Sequence, residues 1–229
     1  MTTPRGTQDA PLLIVRGEAE LEVEPEIARI SVTVSARGRD RRTTLDDLTR
    51  RNATTLDLIK AYPDAVEHLS TGAFSITPEL TEHGRGERVR AYHGRVHLTA
   101  ELTDFTLLGE LTTRLADMEL TRVDGPWWLL RPDSPVHRQA RRQAVQDAVQ
   151  RAHEYAHALD TTIAALIELA DTGTERTRST RMPFERGVRR ASMANTDQAP
   201  EPLDLEPQKL RVTAEVSAQF TMAPPTLRN

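Results

Sequence analysis

The sequence predicts an α+β fold: a mostly antiparallel sheet with helices packed on one face, in the order ββαββ then αβαββ. Three observations predict it. Apolar residues recur at every second position over 19–23, 30–34 and 210–220. Two segments, 45–59 and 140–159, carry them at helical spacing instead. Strand patterns also follow one another in pairs with no helix between them, which makes neighbouring strands antiparallel.

In the first half, Leu12–Val15 is an apolar run that ends at Gly17, and alternation then places Ala19, Leu21 and Val23 inward and Glu18, Glu20, Glu22 and Glu24 outward. Pro25 cannot donate to a ladder, so a turn, bulge or strand start is expected there. Ile30, Val32 and Val34 point inward in the next strand. Thr43 or Thr44 is the expected cap of a helix with Asp46 and Asp47 in its first turn and Leu45, Leu48, Asn52, Leu56 and Ile59 on one face. Tyr62-Pro63-Asp64 ends it. Residues 66–80 and 89–102 read as a hairpin around His83-Gly84-Arg85-Gly86.

The second half opens on Asp104, the expected cap of a short helix carrying Leu107, Leu108, Leu111 and Leu115. In the strand at 120–130, Trp127 and Trp128 must face opposite sides. Asp133 or Ser134 caps the longest helix, with Pro135 in its first turn. Its expected stripe is Ala140, Ala144, Ala148, Ala152, Tyr155, Ala156 and Leu159. Residues 163–170 and 210–222 complete the strands. Between them, 173–206 is Pro- and Arg-rich and is expected to be a long loop. One domain is expected over 12–223, with flexible tails at 1–11 and 224–229.

Composition narrows the functional classes. With 229 residues, 38% of them hydrophobic, the chain can bury a core and is too apolar to be disordered throughout. Aromatics make up only 4%, so that core must be aliphatic. A net charge of -4 argues against a protein that binds nucleic acid over its whole surface. The absence of cysteine excludes disulfides, thiolate metal sites and cysteine nucleophiles. No stretch approaches a membrane span of about 18 apolar residues, and residues 1–11 do not read as a signal peptide, so a cytoplasmic location is expected.

Several motifs together resemble the SIMPL-domain family. Leu13-Ile14-Val15-Arg16-Gly17-Glu18-Ala19 with Val23-Glu24-Pro25-Glu26 is similar to that family's opening. Phe74-Ser75-Ile76-Thr77-Pro78, then Tyr92, Val96, Leu98, Asp104 and Leu108-Gly109, are similar to its central stretch. The Ala-rich helix through Tyr155-Ala156-His157-Ala158-Leu159 and the strand at 207–220 are similar to its closing elements. Ala19, Glu26 and Asp160 depart from the family's Gly, Asp and helix-ending Gly. The resemblance implies an α+β protein that assembles with itself, with links to stress in some members and no accepted enzymatic activity.

Chemistry has few candidates. His153-Glu154-Tyr155-Ala156-His157 is a literal H-E-x-x-H, in which His153 and His157 would bind zinc and Glu154 would polarise water. Both histidines lie off the apolar stripe, so they are expected to face solvent or a partner. His93 and His97 share a strand face about 13 Å apart, too far for one metal. Arg176, Arg178, Arg181, Arg186, Arg189 and Arg190 form a basic run that could dock an acidic protein partner or RNA, the latter disfavoured because Phe184 is the one aromatic residue among them, and Ser192 follows it in a pattern similar to a basophilic kinase site. The acidic row from Glu18 to Glu24 could pair with that run in a neighbouring copy. No cofactor is expected. The reading is a non-catalytic homo-oligomeric scaffold; the alternatives are a zinc hydrolase on His153, Glu154 and His157, and an adaptor using the 173–206 loop.

Overall fold

The computed structural model describes residues 6–80, 89–172, 176–179 and 201–226. Within them lie eight strands and three helices: β1 Leu12–Val23, β2 Ile27–Gly38, α1 Arg41–Lys60, β3 Val66–Leu80, β4 Val89–Leu102, α2 Phe105–Ala116, β5 Thr121–Leu129, α3 Pro135–Ala158, β6 Ile163–Asp171, β7 Arg176–Ser179 and β8 Leu210–Met222. The α+β class and the antiparallel pairing are as expected. The strands, however, divide between two four-stranded sheets, and the chain separates into two compact units.

One unit comprises residues 1–24, 130–181 and 208–229. Its sheet has the order β1-β8-β6, with β7 also paired to β8. The first and last strands pair along their whole length, Leu12 opposite Thr221 and Val23 opposite Leu210. That register puts Leu13, Val15, Ala19 and Leu21 on the same face as Val212, Ala214, Val216, Ala218 and Phe220, where α3 covers them. β1 therefore runs straight through Gly17 rather than ending there. The helix meets the sheet through Ala140, Ala144, Ala148, Ala152 and Ala156, all buried. Tyr155 and Leu159, expected in the same stripe, are exposed. A row spaced by four residues drifts about 40° per step on a helix of about 100° per residue, and only methyl-sized groups on it fit the close contact.

The other unit comprises residues 25–129 and 182–207. Its sheet has the order β3-β4-β2-β5, with α1 and α2 over the face that carries Ile30, Val32, Val34, Leu98, Ala100 and Leu102, all buried. The opposite face is polar and cross-linked: Arg29 pairs with Glu101 at 2.7 Å, and Thr33 bonds His97 at 2.9 Å. The N-cap of α1 is Asp40, which accepts from the Thr43 N–H at 3.0 Å. Thr43 and Thr44 instead bond back to the Asp40 carbonyl, at 3.1 and 2.6 Å. Asp47 lies beyond the first turn, where Arg51 and Arg50 hold its carboxyl below the usual carboxylate range. Thr44 and Thr55 are buried with Leu48 and Ile59, since each hydroxyl satisfies itself on a carbonyl four residues back. Asp104 caps α2 as expected, accepting from Thr106 and Leu107. Trp128 is buried and meets Phe105 edge to face at 4.9 Å, while Trp127 is exposed.

The Pro-rich end of the expected loop packs against α2. The Leu203 N–H donates to Thr113 Oγ1 at 2.9 Å. A Cβ on Gly109 would come within 2.2 Å of the Leu203 carbonyl oxygen, so only glycine lets this segment lie so close to the helix.

Candidate functional site

α3 carries the H-E-x-x-H candidates of the first unit. Ser134 caps the helix, accepting from the Val136 N–H at 3.3 Å, with Pro135 at its first position. Its far end closes on Asp160, whose φ of 51° is left-handed. The Asp160 N–H donates to His157 O at 3.0 Å and the Thr161 N–H to Ala156 O at 2.9 Å, the two bonds of a Schellman motif. Asp160 thus occupies the position where a glycine was missed in the sequence. Thr161 Oγ1 donates to Ala223 O at 2.6 Å, which ties the turn to the segment after β8.

The H-E-x-x-H residues lie on the last two turns. His153, Glu154 and His157 are all exposed. They share an open groove of about 540 Å³ with Ala156, Thr161, Thr162 and Ile163. Glu154 accepts from Gln150 Nε2 at 2.9 Å. Among the described residues, no group of three or more His, Cys, Asp or Glu side chains is placed to hold a metal. Tyr155 turns the other way, beside Leu13–Arg16 of β1.

α3 lies over β1 and β8 and barely reaches β6. Leu166 and Leu169 stand opposite Phe220 and Ala218, on the helix-facing side of the sheet. There they are 52% and 47% exposed, and Ile167 is 46% exposed. β6 pairs only with β8 among the described residues. A run of apolar residues such as 163–167 is consistent with a strand buried on both faces. Here the same pattern sits on an open edge, which periodicity alone does not distinguish.

The basic run is split. Arg176 and Arg178 fall in β7, in register with Thr213 and Arg211 of β8, so part of the expected loop is strand. Arg181, Arg186, Arg189, Arg190 and Ser192 lie outside the described residues. The acidic row has partners within its own sheet: Arg211 reaches Glu20 at 3.1 Å and Glu22 at 3.7 Å, and Lys209 reaches Glu24 at 3.9 Å.

In the second unit a cluster forms around Glu79 that no sequence pattern marks. Its Oε2 lies 2.6 Å from His93 Nε2 and 2.7 Å from Arg37 Nη2, and Arg90 stands 3.7 Å from Oε1. The hydrogen bond from His93, then that from Arg37, holds the Glu79 carboxyl below its usual range. His97 bonds Thr33 instead, so the two histidines of β4 have separate partners. Arg37 is 42 positions from Glu79, a separation that only strand pairing closes. Tyr62 forms a further polar link, donating to Glu110 Oε1 and accepting from Arg114 Nη1, both at 2.7 Å. Burial, with the bond to Glu110, pushes its hydroxyl pKa up.

No helix among the described residues is long and apolar enough to cross a membrane. No curated protein matches the chain. The pattern of the SIMPL family, described as "Protein of unknown function (DUF541)", matches residues 13–220. That span begins at the second residue of β1 and runs to Phe220 in β8, taking in both sheets and all three helices, and the chain therefore belongs to the SIMPL family.

Proposed function

We propose that this chain is a non-catalytic scaffold or assembly protein whose copies join through the open edge at β6. The observation that carries this reading is the exposure of Leu166, Ile167 and Leu169 on a strand whose outer edge pairs with nothing among the described residues. Such an edge is a template for pairing with another chain, and native proteins normally blunt it with charge, proline or a covering element. Glu168 is the one charged residue between Ile163 and Ala170. Covering three large aliphatic side chains contributes on the order of several kcal/mol, at about 1.5–3 kcal/mol each. A stress-linked role enters this proposal only through the family resemblance.

The hydrolase alternative has less support. A catalytic zinc takes three protein ligands and keeps one open position, and the described residues bring two imidazoles to an open surface.

Sedimentation velocity on the full chain at micromolar concentration tests the proposal. The expected result is an oligomer that Leu166→Glu with Leu169→Glu dissociates while far-ultraviolet circular dichroism stays unchanged. A wild-type chain that sediments as a monomer across that range would overturn it.

A further inference from the structure

The histidines of the H-E-x-x-H segment have a use that needs no catalysis. We propose that His153 and His157 form a two-imidazole chelate on the surface of α3 that takes one divalent transition cation per chain, with Cu²⁺ the preferred metal and Zn²⁺ or Ni²⁺ weaker.

The placement carries the argument. Residues four apart on a helix stand one above the other, with Cβ atoms about 6 Å apart. Two imidazoles at that spacing can each put a nitrogen about 2.1 Å from a shared cation. His153 and His157 are exposed and line one groove. Neither imidazole ring makes a hydrogen bond or an ion pair with another described residue, in contrast to His93 and His97, whose rings are committed to Glu79 and Thr33. The scaffold beneath the pair is fixed: Ala152 and Ala156 are fully packed against the sheet. The Schellman turn and the Thr161–Ala223 bond lock the next residues. Little backbone ordering is then left to oppose binding.

The ligand set selects the cation. Imidazole suits copper, nickel and zinc, and a site with two nitrogens and no imposed geometry follows the general affinity order, in which Cu²⁺ exceeds Ni²⁺ and Zn²⁺. Carboxylate-preferring Mg²⁺ and Ca²⁺ are excluded on the same ground. With two protein ligands, the other positions belong to solvent. The metal is then exchangeable and held by the folded helix, because an unfolded chain does not keep the two rings one turn apart.

Isothermal titration of the untagged full chain with Cu²⁺, in a buffer that does not bind metal, is the test. One Cu²⁺ per chain is expected, with an electron paramagnetic resonance spectrum showing coupling to two imidazole nitrogens. His153→Ala and His157→Ala should each weaken binding on the order of a hundredfold, the loss of one of two linked ligands. His97→Ala should leave it unchanged. All three substitutions are on exposed positions, so circular dichroism should confirm an intact fold. A wild-type Kd weaker than about 1 mM, or binding that survives His157→Ala undiminished, would overturn the chelate. Neither result depends on the β6 edge, since the Leu166 and Leu169 variant should bind Cu²⁺ as the wild type does.

Discussion

A Cβ on Gly17 would lie 2.0 Å from the carbonyl oxygen of Ala144 and 2.5 Å from the backbone nitrogen of Ala148. Glycine in β1 and alanine along α3 therefore set one distance together, that between helix and sheet. Because the obstructing atoms are backbone, no side-chain rotation relieves the clash. Gly17→Ala should destabilise the protein by about 3 kcal/mol or more, at or beyond the upper end of overpacking costs. Thermal unfolding followed by circular dichroism reads this as a fall in Tm on the order of 10 °C. A variant as stable as wild type would mean that α3 can lift from β1.

Asp160 makes the opposite prediction. It sits at φ 51° where glycine carries no steric penalty. Asp160→Gly should stabilise by up to about 1 kcal/mol, and Asp160→Val should destabilise by at least that much, because a β-branched residue is poorly tolerated there. Urea midpoints for the two variants, on either side of wild type, check the helix termination directly.

The two tryptophans should separate cleanly. Trp128→Ala removes a buried ring and its contact with Phe105 and should cost about 3–5 kcal/mol. Trp127→Ala, at an exposed position, should change stability by less than about 0.5 kcal/mol. Acrylamide quenching of the single-tryptophan proteins, made as Trp127→Phe and Trp128→Phe, should be strong for Trp127 and weak for Trp128.

Glu79 gives a pH dependence of definite sign. Its carboxyl is held below the usual range by His93 and Arg37, so the folded state favours the ionised form more than the unfolded state does. The stability this contributes is present above the unfolded pKa, near 4.5, and is lost as pH falls through the lower folded value. Glu79→Gln should therefore be less stable than wild type at pH 7, and the gap should be narrower at pH 3. Urea unfolding at the two pH values measures it; a gap undiminished at pH 3 would assign the difference to packing.

Much of the fold was legible because its signals are local. Alternation in β8, the Asp104 cap of α2 and the boundaries of β3 and β4 depend on residues close in sequence, and each element formed where its pattern placed it. Asp40 was missed as a cap because two threonines a few residues on offer the same chemistry, and only the turn geometry decides which oxygen meets a free N–H. Thr44 and Thr55 were missed as core residues because their hydroxyls satisfy themselves within the helix, which composition counts as polar.

The sequence by itself determined the class of every element except β7, the antiparallel pairing and the membership in the SIMPL family. Tertiary structure alone decided that the strands form two sheets, because β1 pairs with β8 some 200 positions away rather than with its neighbour β2. It also decided the fate of β6. An apolar strand reads the same whether a helix covers it or not; α3 is directed over β1 and β8 by Gly17 and the alanine row, and Leu166 and Leu169 are left in the open. His153 and His157 are adjacent in sequence as a motif, and that neither ring pairs with another described residue is a property of the packed helix that carries them.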